Sequence, residues 1–407
     1  MKLNFKKFFL GVVIITGVVF SSCSKDDSFT PTIFDTRASV DNLDKSSVTF
    51  PLDTFLRKQF LEPYNLRFIY RMEDVGSDMT KNLTPAAYDK SVDLAVLTKY
   101  LWYDVYDTIA DKSFMKKYSP RVIQVAGSKN YNPSKGTEVL GDASSGVKIN
   151  LYNANNLDVS NIYVMNEYFF KTMHHEFAHI LDQTHERPLR FNTLSNSLYD
   201  ASGWNNIADS VTAGRGFVSS YASSAVYEDW AESMANYITR DSISWNQLLH
   251  SAEYEWEQVD CKDAQAYAQL LRNPNGYNKD TIGYFKKNES GENKVYRRRC
   301  VRNAAGHVIL DANGKVQWLH TSGINGREVI LQKVDLVRNY LMLHYKIDLD
   351  KLRREVQSRQ FVKNPDGTFK LDAYGNLENR LISIDTDGKK IIDKLRQWVY
   401  QYKALQQ

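Results

Sequence analysis

The chain has 407 residues, 43% of them hydrophobic and 13% aromatic, enough to bury one large core or two modest ones and too apolar for a disordered protein. Its 52 basic and 48 acidic residues leave a formal charge of only +4, and three of the lysines fall within the first seven positions, so the balance speaks against nucleic acid as a partner. Cys23, Cys261 and Cys300 are the only cysteines, too few for a cysteine-based metal site once the first is spent as described below.

Lys2, Lys6 and Lys7 precede an apolar run from Phe8 to Phe20 that is too short to span a bilayer as a mature helix, and the small pair Ser21-Ser22 follows it. This is the pattern of a signal peptide over residues 1–22. Cys23 comes directly after the small pair and looks like a lipobox cysteine, whose thiol is acylated and becomes the first residue of the mature chain. Phe20 stands where Leu is usual. Without the leader, 49 basic residues face 48 acidic ones, and the mature chain is nearly neutral. The stretch Ser24-Lys25-Asp26-Asp27 resembles the short acidic tag that sends lipoproteins of Bacteroidetes-type bacteria to the outer face of the outer membrane. Membrane attachment through Cys23 and surface exposure are the expectation. In that compartment Cys261 and Cys300 either form one disulfide or stay as two buried thiols.

Residues 23–47 are rich in Ser, Asp and Thr and read as a flexible tether. From Val48 the pattern becomes periodic. Thr54 to Leu61 has helical spacing, Leu66 to Tyr70 reads as a strand, and Ser91 to Ile109, with Leu94, Leu97, Leu101 and Val105, predicts a long amphipathic helix. Val122 to Val125 and Val147 to Leu151 read as short strands. Two helices at about 165–184 and 224–239 carry the chemistry. Val301 to Leu319 predicts hairpins turning at Ala305-Gly306 and Asn313-Gly314, and Val329 to Glu355 is helical with a break near Ile347-Asp348. Pro365-Asp366-Gly367 and Asp385-Thr386-Asp387-Gly388 predict two turns before a last helix, Lys390 to Leu405. No internal repeat is evident. Helices outnumber strands in a mixed order, which gives an α+β class, helix-rich, with a small mixed or antiparallel sheet; the main domain covers 48–359 and a C-terminal hairpin and helix extension covers 360–407.

The strongest signal is H-E-x-x-H in His174-His175-Glu176-Phe177-Ala178-His179. At 100° per residue Phe169, Met173, Phe177 and Ile180 share one stripe of a helix, and His175 and His179 lie together opposite it. Two imidazoles four residues apart can both reach one Zn²⁺ at ~2.0–2.1 Å, and Glu176 projects beside them. Zinc lowers the pKa of a water it holds to about 7, and a carboxylate within reach takes the proton as that water attacks a carbonyl. His174 points some 100° away and has no place in the site.

A catalytic zinc takes three protein ligands, and two residues compete for the third position. His185 follows His175 at the ten-residue spacing of the H-E-x-x-H-x-x-G-x-x-H pattern, although Asp182 replaces its glycine. The other is Glu228, in Tyr227-Glu228-Asp229-Trp230-Ala231-Glu232, on a helix expected to begin at Ser223 or Ser224. There Val226, Trp230, Met234 and Tyr237 form the apolar side while Glu228 and Glu232 share the other. In that arrangement Glu228 binds zinc and Glu232 accepts a hydrogen bond from a ligand imidazole. Two solvated surface acids would give the same spacing.

Met173 to Tyr237 resembles the gluzincin peptidases of the lethal-factor-like branch, in which H-E-x-x-H is followed several dozen residues later by E-x-x-A-E, with a Tyr seven residues before it. Glu228-Asp229-Trp230-Ala231-Glu232 and Tyr221 stand at those positions. The resemblance implies Glu228 as third ligand, with His185 as the alternative, and Tyr221 as the phenol that stabilises the tetrahedral oxyanion. The whole mature chain is similar to the zinc-binding metallopeptidase lipoproteins found beside TonB-dependent nutrient import systems in Bacteroidetes, on the lipobox, on His174 to Leu181 and on Ile347-Asp348-Leu349-Asp350. That similarity implies a zinc peptidase acting on proteins or glycopeptides at the cell surface. The alternatives are a non-catalytic zinc-containing binding lipoprotein and a zinc amidase acting on a glycan or peptidoglycan. Glu176 favours an enzyme, since a structural zinc is closed by four ligands and needs no base beside it.

Overall fold

The structure is a computed structural model that describes residues 43–72, 83–132, 137–139, 141–144, 147–259, 282–287, 293–304 and 307–406. The leader, Cys23, nearly all of the tether, Cys261 and the expected turn at Ala305-Gly306 lie outside the described residues. Cys300 is buried. No helix among the described residues is long and apolar enough to cross a membrane.

Helix α1, Phe50–Leu56, opens the fold with Pro51 at its first turn, where the missing N–H costs nothing. It runs on through a wider π turn, Arg57–Leu61. The long helix expected over 91–109 is present as α2, Tyr88–Thr98, followed by a second π turn, Lys99–Tyr103, and by Asp104–Ile109. Between and after these lie strands β1, Arg67–Ile69, and β2, Val122–Val125, then β3, Gly141–Ser144, and β4, Lys148–Leu151. They form one mixed sheet in the order β1, β2, β4, β3: β1 to β2 and β2 to β4 are parallel, and β3 runs antiparallel at the edge. Ile123, Val125, Ile149 and Leu151 alternate with less buried neighbours and face the core, the period-2 pattern of a half-buried sheet. The class is α+β and helix-rich, with this sheet on one side of the helices.

Two helices occupy the centre. Helix α3, Lys171–Thr184, follows a third π turn, Asn166–Phe170. Helix α4, Val226–Thr239, packs against it. The apolar stripe of α3 meets an aromatic cluster: Phe177 stands edge-on to Trp102, Tyr106 and Phe114 at ring separations of 5.6, 5.3 and 5.8 Å, geometries that add ~0.5–1.5 kcal/mol per pair beyond burial. Trp230 of α4 is likewise edge-on to Phe191 and to Tyr340, the latter on α5, Gly326–Tyr345. Edge strand β3 comes so close to α3 that a Cβ at Gly141 would lie 2.2 Å from Thr172 Cγ2. Only glycine allows this approach.

The helical stretch from Val329 breaks where expected. Lys346 takes a left-handed conformation at φ 58° and ends α5, and Asp348 caps α6, Leu349–Gln360, by accepting from Lys351 N at 2.9 Å. Asp350 then binds Arg338 of α5 at 2.9 Å and also accepts from Tyr237 of α4. The Ile347 to Asp350 motif is thus a joint holding three helices. The last helix, α7, Ile391–Tyr400, packs on α1 and α2, where Arg396 makes a two-pronged bond to buried Asp93 at 2.7 and 2.9 Å.

The structure departs from the sequence expectation at two places. Helix α4 begins at Val226 with Ala225 as its cap residue and no side-chain cap, because Tyr221–Ser224 form a 3₁₀ turn in which Ser223 Oγ donates to Ser220 O at 2.7 Å. The chain also carries a repeat: Val301 to Trp318 and Val362 to Asn379 share Val, Asn, Gly, Leu-Asp-Ala and Gly at equal offsets. Both fold alike. Ile309 N donates to Val301 O at 3.0 Å and Lys370 N to Val362 O at 2.9 Å, while Asp311 and Asp372 each accept the backbone N–H four residues on, at 2.8 and 2.9 Å. Gly314 and Gly375 take φ of 73° and 80° in the matching turns. The divergent residues between the fixed positions hide this in a plain reading of the sequence.

Candidate zinc site

His175 and His179, one turn apart on α3, meet Glu228 from the first turn of α4. His175 Nε2 lies 3.0 Å and His179 Nε2 3.3 Å from Glu228 Oε2, and the two Nε2 atoms are 3.1 Å apart. One ligand atom from each falls within 4.8 Å of the others, the sole such group of three among the described residues. A tetrahedron with metal–ligand bonds of ~2.0–2.1 Å has edges of about 3.3–3.4 Å, so three corners of it are nearly in place. The donor set fits zinc: two imidazoles, one carboxylate and a fourth corner left for water or substrate.

Glu232, one turn beyond Glu228, sits 2.9 Å from His175 Nδ1. When Nδ1 donates there, Nε2 keeps its lone pair and faces the other two donors. Glu232 is held in turn: Ser219 Oγ donates to its Oε2 at 2.6 Å and Asn236 Nδ2 at 3.0 Å. The field in this cluster is strongly negative. Burial alone would strip the proton from His175, yet its hydrogen bonds to Glu228 and Glu232 hold its pKa up at about 10. Burial likewise opposes the charge of Glu228, but His175 and His179 bring its carboxyl down to about 2. A dication placed among these groups gains from the same field, and displaces the proton.

Glu176 is buried beside His175, 7% exposed. Tyr221 precedes α4 and lays its ring against His175 at 5.8 Å and against Trp204 at 4.9 Å. Burial, then the Glu228 carboxylate, push its phenol far above the ordinary range, so it keeps its proton and can donate. His185 is placed elsewhere. It closes α3 and stacks on His344 of α5 with ring centroids 4.6 Å apart, outside the triad. The end of α3 needs no glycine, because the chain leaves the helix with His185 extended at φ −135°; Tyr340 and Tyr345 brace this end by donating to Leu181 O at 2.8 and 2.9 Å, and Tyr340 also to His185 O. Asp182 takes Arg187 N at 2.8 Å instead of turning the chain. His174 is fully buried with Nδ1 3.1 Å from Tyr106 Oη, and burial depresses its pKa to about 3. It packs, neutral, on the side away from the triad.

Glu228 also depends on its neighbour. Asp229 is wholly buried and meets Lys333 of α5 at 2.6 Å, with Tyr199 Oη at 2.8 Å on the same carboxylate. Lys333 Nζ donates to Gly216 O at 2.7 Å and lies 4.2 Å from the Phe217 ring centre. Losing one member of such a pair costs ~3–5 kcal/mol, because the other is left buried and unpaired. This anchor fixes the rotation of α4 that turns Glu228 and Glu232 toward α3.

Ser219, Asn236 and Trp204 escaped the reading of the sequence. Asn236 had a signal, continuing the spacing of Glu228 and Glu232 by four more residues; Ser219 and Trp204 had none.

An α+β fold in which an H-E-x-x-H helix faces a second helix bearing a carboxylate defines a zincin-like metallopeptidase core. The chain belongs to the family described as "Putative zinc-binding metallo-peptidase", whose profile matches residues 45–350. Zinc is the cofactor that goes with this family. Among solved structures, one titled as a "putative zinc-binding metallo-peptidase" from Bacteroides caccae is similar at 29% identity and a TM-score of 0.52, over 76% of this chain and 91% of that one. No curated protein matches.

Proposed function

We propose that the protein is a zinc peptidase in which His175, His179 and Glu228 hold the metal, Glu176 is the general base and Tyr221 assists the oxyanion. The observation that carries this reading is the triad with a buried carboxylate and a protonated phenol on its borders, since a purely structural site would need neither. Bound there, zinc supplies Lewis acidity to water and to a carbonyl oxygen. Glu176 takes the proton of the attacking water as its oxygen bonds to the scissile carbon, and passes it to the amine as the C–N bond breaks. Tyr221 donates to the developing oxyanion. Glu232 keeps His175 in the tautomer and orientation that leave Nε2 toward the metal.

The experiment is a digest of a mixed peptide library by zinc-loaded protein, with and without chelator. Cleavage that chelator abolishes and added zinc restores is the expected outcome; an intact library in every arm would overturn the peptidase assignment.

The N-terminal pattern supports an outer-membrane lipoprotein displayed at the surface, and the resemblance to import-associated metallopeptidase lipoproteins supports peptides or glycopeptides taken beside a TonB-dependent importer. Cys23→Ser is expected to lose label from a fatty-acid probe and to leave the membrane fraction. Unchanged retention of that variant would refute the anchor.

A further inference from the structure

Four polar side chains stand at four-residue intervals along one face of α4 and its end: Glu228, Glu232, Asn236 and Arg240. The first two engage His175. Asn236 continues the file, donating Nδ2 to Glu232 Oε2 at 3.0 Å and accepting Arg240 Nε on Oδ1 at 2.8 Å. The main chain of Arg240 is fixed as well, because its carbonyl accepts from Arg353 Nη2 at 3.0 Å and Gln357 Nε2 at 2.8 Å, both on α6. Backbone and Nε are therefore held, and the two terminal nitrogens make no ion pair among the described residues.

Arg240 lines a cavity of about 430 Å³ together with His175, Glu176, Gly141, Lys171 and Tyr221. The other charges of the cavity are engaged already. Lys171 pairs with Glu167 at 2.6 Å, Glu138 with Lys129 at 3.0 Å, and Asp209 accepts Ser220 N at 2.8 Å. Glu232 is bound to His175, Ser219 and Asn236. Of the two cations that line the cavity, Lys171 and Arg240, only Arg240 makes no ion pair among the described residues, and a planar fork of N–H donors is matched best by a carboxylate. Side chains on a helix lean toward its N-terminus, so the guanidinium lies near Asn236, about 12 Å along the axis from Glu228 at 1.5 Å per residue. One or two extended residues of ~3.3–3.6 Å each and a long side chain span that distance.

We propose that this cavity is a specificity pocket for a carboxylate of the substrate, with Arg240 as its recognition residue and Asn236 positioning Arg240. The proposal rests on the peptidase reading above. The carboxylate comes either from an Asp or Glu side chain next to the scissile bond or from the C-terminus of the peptide, and one experiment separates the two. Zinc-loaded parent, Arg240→Gln, Arg240→Lys and Arg240→Glu proteins digest two peptide libraries, one with amidated and one with free C-termini, after zinc content and melting temperature have established that each variant is folded.

Enrichment of Asp and Glu by at least tenfold at one position beside the cleaved bond in the amidated library, kept in part by Lys, lost in Gln and reversed to Lys and Arg in Glu, assigns the pocket to an acidic side chain. Cleavage confined to the free-acid library near its C-terminus, with the same dependence on residue 240, assigns it to the terminal carboxylate. Identical profiles in parent and all three variants overturn the proposal while leaving the peptidase intact. If neither library is cut, the peptidase reading fails. The pocket is then judged by calorimetric titration of parent and Arg240→Gln with N-acetylglutamate α-amide and with N-acetylalanine: binding of either at least tenfold tighter to the parent sustains the carboxylate site, and equal or absent binding in both proteins overturns it.

Discussion

Glu176→Gln is expected to retain one zinc per chain while peptide turnover falls by ~10²–10⁴, because the amide keeps the size and polarity of the carboxylate but cannot accept a proton at neutral pH. Glu176 is buried against His175 without belonging to the group of three donors, so its loss leaves the metal contacts in place. The fall should appear in kcat more than in KM, since proton transfer belongs to the transition state and not to peptide binding. Two measurements on the same preparation decide it, metal content and single-turnover cleavage. Equal cleavage by parent and variant would remove Glu176 from the mechanism, and loss of zinc from the variant would make it a structural support of the site.

The helical signals of this chain were legible because each rests on spacing that the backbone enforces. His175 and His179 fall on one face of α3 and Met173 and Phe177 on the other for the same reason, 100° per residue. Glu228 and Glu232 stood out as acids opposite Trp230 and Met234, and the geometry turns them toward His175. What stayed hidden depends on tertiary contacts that no local pattern encodes. The end of α3 is braced by Tyr340 and Tyr345 from a helix over 150 residues later, and the chain leaves it with His185 extended, which is why a missing glycine at position 182 carried little information about how the chain leaves the helix. Ser223 and Ser224 looked like helix caps, yet in a 3₁₀ turn a hydroxyl has a nearer carbonyl to satisfy. Asp229 read as one more acid in an acidic turn, and nothing nearby in the sequence announced that Lys333 would bury with it.

Glu228→Ala should lose zinc, and His185→Ala should keep it. Glu228 Oε2 lies 3.0 and 3.3 Å from the two Nε2 atoms that face it, so its removal deletes one corner of the donor set and leaves two imidazoles. Two ligands hold zinc far more weakly than three, and the loss should be close to complete after dialysis. The alanine also removes a negative charge from the surroundings of His175, which weakens the attraction for any cation there. His185 stacks on His344 and meets the edge of Tyr345 at 5.5 Å, so its replacement removes packing at the end of α3 and should lower the melting temperature without lowering metal content. His175→Ala and His179→Ala should behave as Glu228→Ala does. Metal analysis of the purified variants, read beside their melting curves, separates a lost ligand from a weakened fold. Zinc retained in full by Glu228→Ala, or lost only by His185→Ala, would move the third ligand away from α4 and leave Glu228 as a hydrogen-bond partner of the two histidines.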